Sequence, residues 1–364
     1  MTRDSRPPAT GRLPADRLIA FGQQLLHAAG QPSDRAQDVA EVLVEGDLLG
    51  HTTHGLSLLP LYLEEIARLR MPTTGEPTVI ADQGSAVTWD GGYLPGPWLL
   101  RKAVALALER LQQHPLAVVV IRRAHHLACL QTYLRSVAES GVVILLTCTD
   151  PANRWVVPPG GTKPQYSPNP IAAGIPTTGE PHLIDISLST TAAGTCVRAA
   201  KAGERLPGPW LADAQGQPTD DPRPLVDRQE GGLYPLGGFD LGYKGFGLAL
   251  IMEALTSALC GHGRSDGNAQ WGSSVFLMLI DPARFGGREA FARETSFLAE
   301  ACRQTPTPEG GAPVRLPGEA ALARRREQLA HGVALHPSIL PALQPWADQL
   351  GVAMPASSQG AGRA

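Results

Sequence analysis

Leu116-Ala117-Val118-Val119-Val120-Ile121 and, further on, Val142-Val143-Ile144-Leu145-Leu146-Thr147 are unbroken apolar runs of strand length. A strand with one wet face alternates polar and apolar residues, whereas a strand covered on both faces has no reason to. The pair therefore predicts the interior of a sheet with helices packed over it. Working outward, Val79 to Trp89 has the β-branched texture of strands, Pro97 to Gln112 that of a helix, and Val275 to Ile280 that of a last strand.

The flanks read as helical. Ser33 is placed to cap a helix whose apolar positions Ala36, Val39, Ala40, Leu43 and Val44 recur at helical spacing, leaving Asp34, Arg35, Asp38 and Glu41 largely toward water. Leu59, Leu63, Ile66 and Leu69 share a face of a second helix that stops before Pro72. Arg288 to Arg303 and Gly318 to Leu350 return to helical periodicity, a second segment able to pack against the first. The expected architecture is α/β: an α/β domain over 76–294 inserted into a discontinuous helical domain of 16–75 plus 295–354, with residues 1–15 and 355–364 as disordered tails. Pro158 to Pro176 and Gly203 to Pro224, rich in Gly and Pro, read as long functional loops.

At 364 residues, 43% of them hydrophobic, the chain can bury sizeable cores. A net charge of −3 gives no cationic field for a polyphosphate backbone, and no Lys/Arg stripe is interleaved with aromatics, which argues against a nucleic-acid partner. Met1 to Pro14 carries Arg3 and Arg6 but no apolar stretch, and no later run approaches a membrane span, so a cytoplasmic protein without a membrane partner is expected. Cys129, Cys148, Cys196, Cys260 and Cys302 are scattered and form no C-x-x-C pair, so neither a disulfide framework nor a cysteine zinc site is expected.

No G-x-G-x-x-G opens a helix after a strand, and no P-loop occurs. Leu236 to Gly247 leads into an apolar helix, and its glycines would let backbone N–H groups approach an anion beside Lys244; a glycine-rich turn with a solvated lysine is the plainer reading. His51 and His54 lie in a loop held between two helices, and His125-His126 follow the strand Leu116 to Ile121. A histidine at a strand end can serve as general acid or base, with a carboxylate such as Asp185 fixing its tautomer; taken singly, each reads more plainly as a hydrogen-bonded structural residue. A zinc site of His51, His54 and His126 lacks any H-E-x-x-H-like spacing, and no metal is expected.

Asp47-Leu48-Leu49-Gly50-His51-Thr52-Thr53-His54-Gly55 resembles the D-x-x-G-H-x-S-H-G signature of the malate/L-lactate/sulfolactate dehydrogenase family, which includes ureidoglycolate dehydrogenase, diketogulonate reductase and cyclic-imine reductases. The resemblance continues through Arg122-Arg123-Ala124-His125-His126 (family R-N-S-N-H), Pro158-Pro159-Gly160-Gly161, Ser167-Pro168-Asn169-Pro170-Ile171 (family G-T-N-P-I) and Asp185 to Ser189 (family D-M-x-x-S). It covers Gly203 to Pro207, Gly242 to Gly247, Asp281 to Phe285 and Val314 to Glu319 as well.

The resemblance implies a homodimer that binds NADH or NADPH without a Rossmann fold, in the inserted α/β domain, and transfers hydride to the C=O or C=N of a small molecule beside a carboxylate. It makes His54 the proton donor, an imidazolium worth roughly 10²- to 10⁴-fold in rate. His126 becomes a second catalytic histidine, and Asp185 its neighbour. Asn169, Ile184, Asp185, Ile186, Ser187, Ser189, Thr190, Tyr243, Lys244, Gly318 and Glu319 fall on cofactor-contacting segments, and His51, Thr53, Leu58 and His125 around the substrate.

The chain departs from the pattern around that substrate. The family arginine of H-G-x-x-R, which grips the substrate carboxylate, is Leu58; the signature serine is Thr53, the asparagine before the second histidine is His125, and the glycine of N-H-x-G is Ala128. Thr195 replaces a lysine, and Pro168 interrupts G-T-N-P. Losing a bidentate contact to an anion costs roughly 1.5 to 3 kcal/mol unless another cation substitutes, for which Arg123, Arg154 and Arg198 are the candidates. The expectation is a re-specialised NAD(P)H-dependent reductase of ketones or cyclic imines. A redox-inactive relative, acting as a binding protein or as a non-redox cyclase or isomerase, is the alternative, and a zinc hydrolase a third.

Overall fold

The computed structural model describes residues 11–227, 230–267 and 269–355. Two helices, α1 (Ala15–Ala28) and α2 (Ser33–Leu49), pack on each other through Leu18, Leu25, Val39 and Leu43, all fully buried. Ser33 is the first residue of α2, not its cap; its hydroxyl accepts from Gln23. Arg35 does not face water: it is buried, stacked 3.7 Å over the Trp98 ring, with Thr73 and Gly75 carbonyls accepting from it. After a 3₁₀ turn at Leu56–Leu58 comes α3 (Leu59–Ala67), which buries Leu59, Leu63 and Ile66 but ends before Leu69, left exposed with φ 57°.

Among the described residues β1 (Thr78–Asp82), β2 (Ala86–Asp90), β3 (Leu116–Ala124), β4 (Val143–Thr149), β5 (Ile171–Ile175), β6 (His182–Ile186) and β10 (Ser273–Ile280) form a seven-stranded sheet in the order β1-β2-β3-β10-β4-β5-β6. Only β2 and β3 run parallel; the other pairs are antiparallel. The unbroken apolar character of β3 and β4 has the cause expected of it. One face lies under α4 (Gly96–Arg110) and α5 (Leu134–Glu139). The other meets the turns after α8 (Gly238–Glu253), where Val120, Phe276 and Cys260 close a small core.

The second long loop is not featureless: β7 (Leu211–Ala212), β8 (Pro218–Thr219) and β9 (Gly232–Leu233) make a three-stranded sheet that packs, with α6 (Ala193–Ala202) and α7 (Arg223–Val226), around Leu188, Cys196 and Leu225. After α9 (Arg288–Arg303), α10 (Glu319–His331) returns to α2 and α11 (Ile339–Leu350) to α1 and α3, and one continuous core runs from these helices to the sheet. α9 is tied at its middle to the loop beyond β5, where Thr295 and Ser296 bond to Pro176 and Thr178, and at its end to α10, where Arg303 pairs with Glu319. Of the tail expected to be disordered, residues 11–15 are described, and Leu13 is 2% exposed and bridged to Val333; residues 1–10 and 356–364 lie outside the described chain.

Candidate active site

The histidine loop is held from beneath. α2 ends on Gly50 at φ 94°, where a side chain would also strike Arg324, and His51 N–H donates to the Gly46 carbonyl at 2.8 Å. Asp47, fully buried, accepts the Leu56 N–H at 2.7 Å, and its carboxylate lies where a Cβ on Gly55 would sit. Burial pushes the Asp47 carboxyl up to about 7, and its Oδ1 has no partner. Strapped at both ends, the loop presents a half-buried His54 whose Nδ1 lies 2.8 Å from Thr53 Oγ1. A hydroxyl can donate or accept, so Thr53 accommodates either protonation state of the ring and leaves Nε2 to exchange a proton.

β3 delivers the second histidine. The chain turns sharply after it, with Ala128 at φ 61°, the left-handed region where glycine is unstrained, and Ala128 N–H donates to His126 Nδ1 at 3.3 Å. Nδ1 being an acceptor, the proton of neutral His126 is on Nε2. The buried Tyr62 hydroxyl sits 2.9 Å from the same Nδ1 and 3.1 Å from the His126 carbonyl. The His54 and His126 rings stack at 5.8 Å, and Trp271 lies 4.9 Å from His126. Burial, with the neighbouring His51 and Arg198 adding to it, lowers His54 to about 4; burial also holds His126 well below the usual histidine range. Both are neutral near pH 7, so the free protein does not carry the expected imidazolium.

Asp185 does not orient His126. Its Oδ2 accepts from the Gln131 N–H at 2.9 Å and faces the Cys129 thiol at 3.6 Å, and burial raises it, with His51 opposing. Gln131 links the group: its Nε2 donates to the Leu183 carbonyl, so its Oε1 accepts from His51 Nε2 at 2.7 Å. Ligand atoms of His51, Cys129 and Asp185 lie within 4.8 Å of one another, a donor set of metal-binding type not foreseen from the His51, His54, His126 combination, although Gln131 already engages two of its members.

Ile184 and Ile186 lie on β6, the sheet's edge strand, Ile186 being exposed; Ser187, Ser189 and Thr190 continue from it, and Ser189 bridges to Pro235 just ahead of α8. Gly318 packs on Leu183 at the strand's other end, where Glu319 pairs with Arg303. Most of the glycine-rich stretch is α8 itself, Gly245 being required by the Leu236 backbone against it, while Tyr243 and Lys244 face solvent. Asn169, expected near cofactor, is fully enclosed and spends its amide on Ser167, Ala249 and Glu253. His125, expected near substrate, is also fully enclosed, behind Trp271 and 3.6 Å from Glu65. Leu58 is buried in the core. Tyr62, Gln131 and Trp271 were missed; nothing local marks a tyrosine on a helix or a glutamine after a strand as oriented toward histidines distant in sequence.

A family model for malate/L-lactate dehydrogenase matches residues 13–344. The chain belongs to the malate/L-lactate dehydrogenase family. An L-lactate dehydrogenase of Cupriavidus necator is 32% identical over 343 residues, covering 92% of this chain and 97% of the relative. A Δ1-pyrroline-2-carboxylate reductase of Pseudomonas fluorescens is 27% identical, covering 90% and 96%. Among solved structures, the Δ1-piperideine-2-carboxylate reductase of Pseudomonas syringae matches with TM-score 0.80 at 28% identity, covering 93% of this chain and all of that one. The malate dehydrogenase of Entamoeba histolytica matches with TM-score 0.89 over 95% and 99%, at 22% identity a likeness of fold. Members of the malate/L-lactate dehydrogenase family are NAD(P)-dependent dehydrogenases and reductases of hydroxy or oxo acids and imines, and this chain is an NAD(P)-dependent oxidoreductase. No helix among the described residues is long and apolar enough to cross a membrane.

Proposed function

We propose that the protein interconverts a small hydroxy or amino compound and the corresponding ketone or cyclic imine, with His54 moving the proton and His126 holding the reacting oxygen or nitrogen. The observation that carries this reading is the stacked pair of neutral histidines whose outer nitrogens have complementary roles. His126 Nε2–H is a fixed neutral donor, able to polarise a carbonyl without surrendering its proton. His54 Nε2 takes the proton of a hydroxyl on oxidation and returns it to the alkoxide or amide nitrogen on reduction, while Nδ1–H donates to Thr53 Oγ1 in both states and keeps the basic lone pair on Nε2.

The residues fit a dinucleotide on two observations. Ile186 offers an exposed apolar face on the edge strand beside Asp185, and the first turn of α6, which has no side-chain cap and no acidic residue, starts against Thr53 at Gly194. Bound NAD(P)H supplies the hydride. On this reading Ile184 to Thr190 and Tyr243-Lys244 of the unit 76–294, joined by Gly318-Glu319 from the helical segment beyond it, hold the cofactor, and His51, Thr53 and Leu58 border the substrate. The apolar residues Phe239, Leu241, Leu248, Leu250 and Ile251 exposed along α8 support a homodimer, and cysteines that are all free suit the cytoplasm.

The test is a titration with NADH and with NADPH, followed by energy transfer from tryptophan, and then a panel of 2-oxo acids, cyclic imines and diketones. Micromolar binding and turnover lost in His54→Ala are expected. Absence of binding to either cofactor would hand the protein to the redox-inactive alternative that the burial of Leu58 in place of an arginine favours.

A further inference from the structure

With an apolar Leu58 buried beside the histidine loop, a cation for an anionic substrate has to come from elsewhere, and three arginines were candidates from the sequence. Arg123 is committed to Asp90, by Nε at 2.9 Å and by its terminal nitrogen at 2.5 Å. Among the described residues no hydrogen bond or ion pair joins Arg154 to the histidine loop. Arg198 is placed differently. α6 begins against that loop, where a Cβ on Gly194 would already stand 3.4 Å from Thr53, and one turn further on Arg198 donates to the Thr52 hydroxyl at 3.3 Å.

The guanidinium has five N–H donors and spends one on Thr52, and no carboxylate pairs with it among the described residues. Its charge reaches His54 on one side and His336, in the connection between α10 and α11, on the other, where it disfavours their protonated forms. Asp185, the acid of the site, is engaged by Gln131 and Cys129.

We propose that Arg198, with the Thr52 hydroxyl, is the anion subsite of this protein, gripping the carboxylate of the substrate from α6 in place of an arginine at position 58. The inference rests on the reductase reading for its role, but the subsite itself is testable without turnover. A planar dianion fits the free fork of the guanidinium, and oxalate is the probe, with neutral oxamide as its isosteric control.

Calorimetric titration of the full-length protein with oxalate is expected to give one site, absent with oxamide, weakened roughly 10- to 100-fold in Arg198→Gln and largely kept in the control Arg154→Gln. For any 2-oxo acid that is turned over, Arg198→Gln raises KM by a similar factor with a smaller change in kcat, and Arg198→Lys recovers part of it. Oxalate binding that survives in Arg198→Gln, or none in the wild type, overturns the proposal. NADH and NADPH titrations of the same samples report on fold and on the reductase reading separately, so an anion subsite without cofactor binding, or the reverse, is distinguishable.

Discussion

Replacing Asp47 by asparagine isolates the strap beneath the histidine loop. The carboxyl is fully enclosed, accepts one backbone N–H, leaves Oδ1 without a partner, and is pushed up by burial from an ordinary 3.8 to about 7. Because the folded value is raised, the stability this group contributes is fully present below the unfolded value and is lost as pH rises through the folded one. A gap of about three in pKa corresponds to about 4 kcal/mol in full, of which about 2 to 3 kcal/mol falls between pH 5 and pH 8. Asparagine keeps an acceptor for Leu56 and cannot ionise. Urea denaturation at both pH values should show the wild type losing about 2 to 3 kcal/mol more than Asp47→Asn on going from pH 5 to pH 8. Parallel losses in the two proteins would refute the claim that an ionisable, poorly compensated carboxyl lies under the loop.

With His54 lowered to about 4, kcat/KM for reduction should fall about tenfold per pH unit above pH 5, while that for oxidation stays level from pH 6 to pH 9; a plateau for reduction up to pH 7 would contradict the assignment. Ala128→Gly relieves a left-handed alanine and should raise stability by about 0.5 to 1 kcal/mol, read as a higher urea midpoint at unchanged slope. Tyr62→Phe removes the hydroxyl shared by His126 Nδ1 and its carbonyl, and should cost about 1 to 2 kcal/mol in stability and lower kcat more than it changes KM. Chelators should leave turnover unchanged, since Gln131 already engages His51 and Asp185; activity restored by zinc after chelation would reverse that conclusion.

Much of this was legible in the chain because burial writes itself into periodicity. The runs at Leu116 and Val142 announced strands covered on both faces, and α2, α4 and β10 lie where the apolar spacing put them. What periodicity does not encode is which polar atoms meet. Asp185 was expected beside His126, but that ring is oriented by a backbone amide and by Tyr62, contacts that depend on the turn at Ala128 and on α3 crossing behind it. Asn169 and His125 carried polar side chains at motif positions and were expected at a ligand, whereas both are enclosed, one with its amide satisfied by three partners, the other with neither ring nitrogen bonded. The alanine at position 128 gained meaning only from its backbone angle, a positive φ of 61° where glycine is the tolerant residue.

The position of β10 has a consequence for how the molecule is made. This strand is the last of the sheet along the chain, yet it lies at the centre, joining β3 to β4. Until the ribosome has delivered residues up to Ile280, the two most apolar strands have no partner between them, and the turn bearing His125 and His126 hangs from an unclosed edge. A nascent chain must therefore keep those edges shielded, by its own collapsed helices or by a chaperone, and closure waits on pairings of long sequence separation, which are slow. A premature stop before Ser273 would release a fragment with exposed sticky strands rather than a smaller working enzyme.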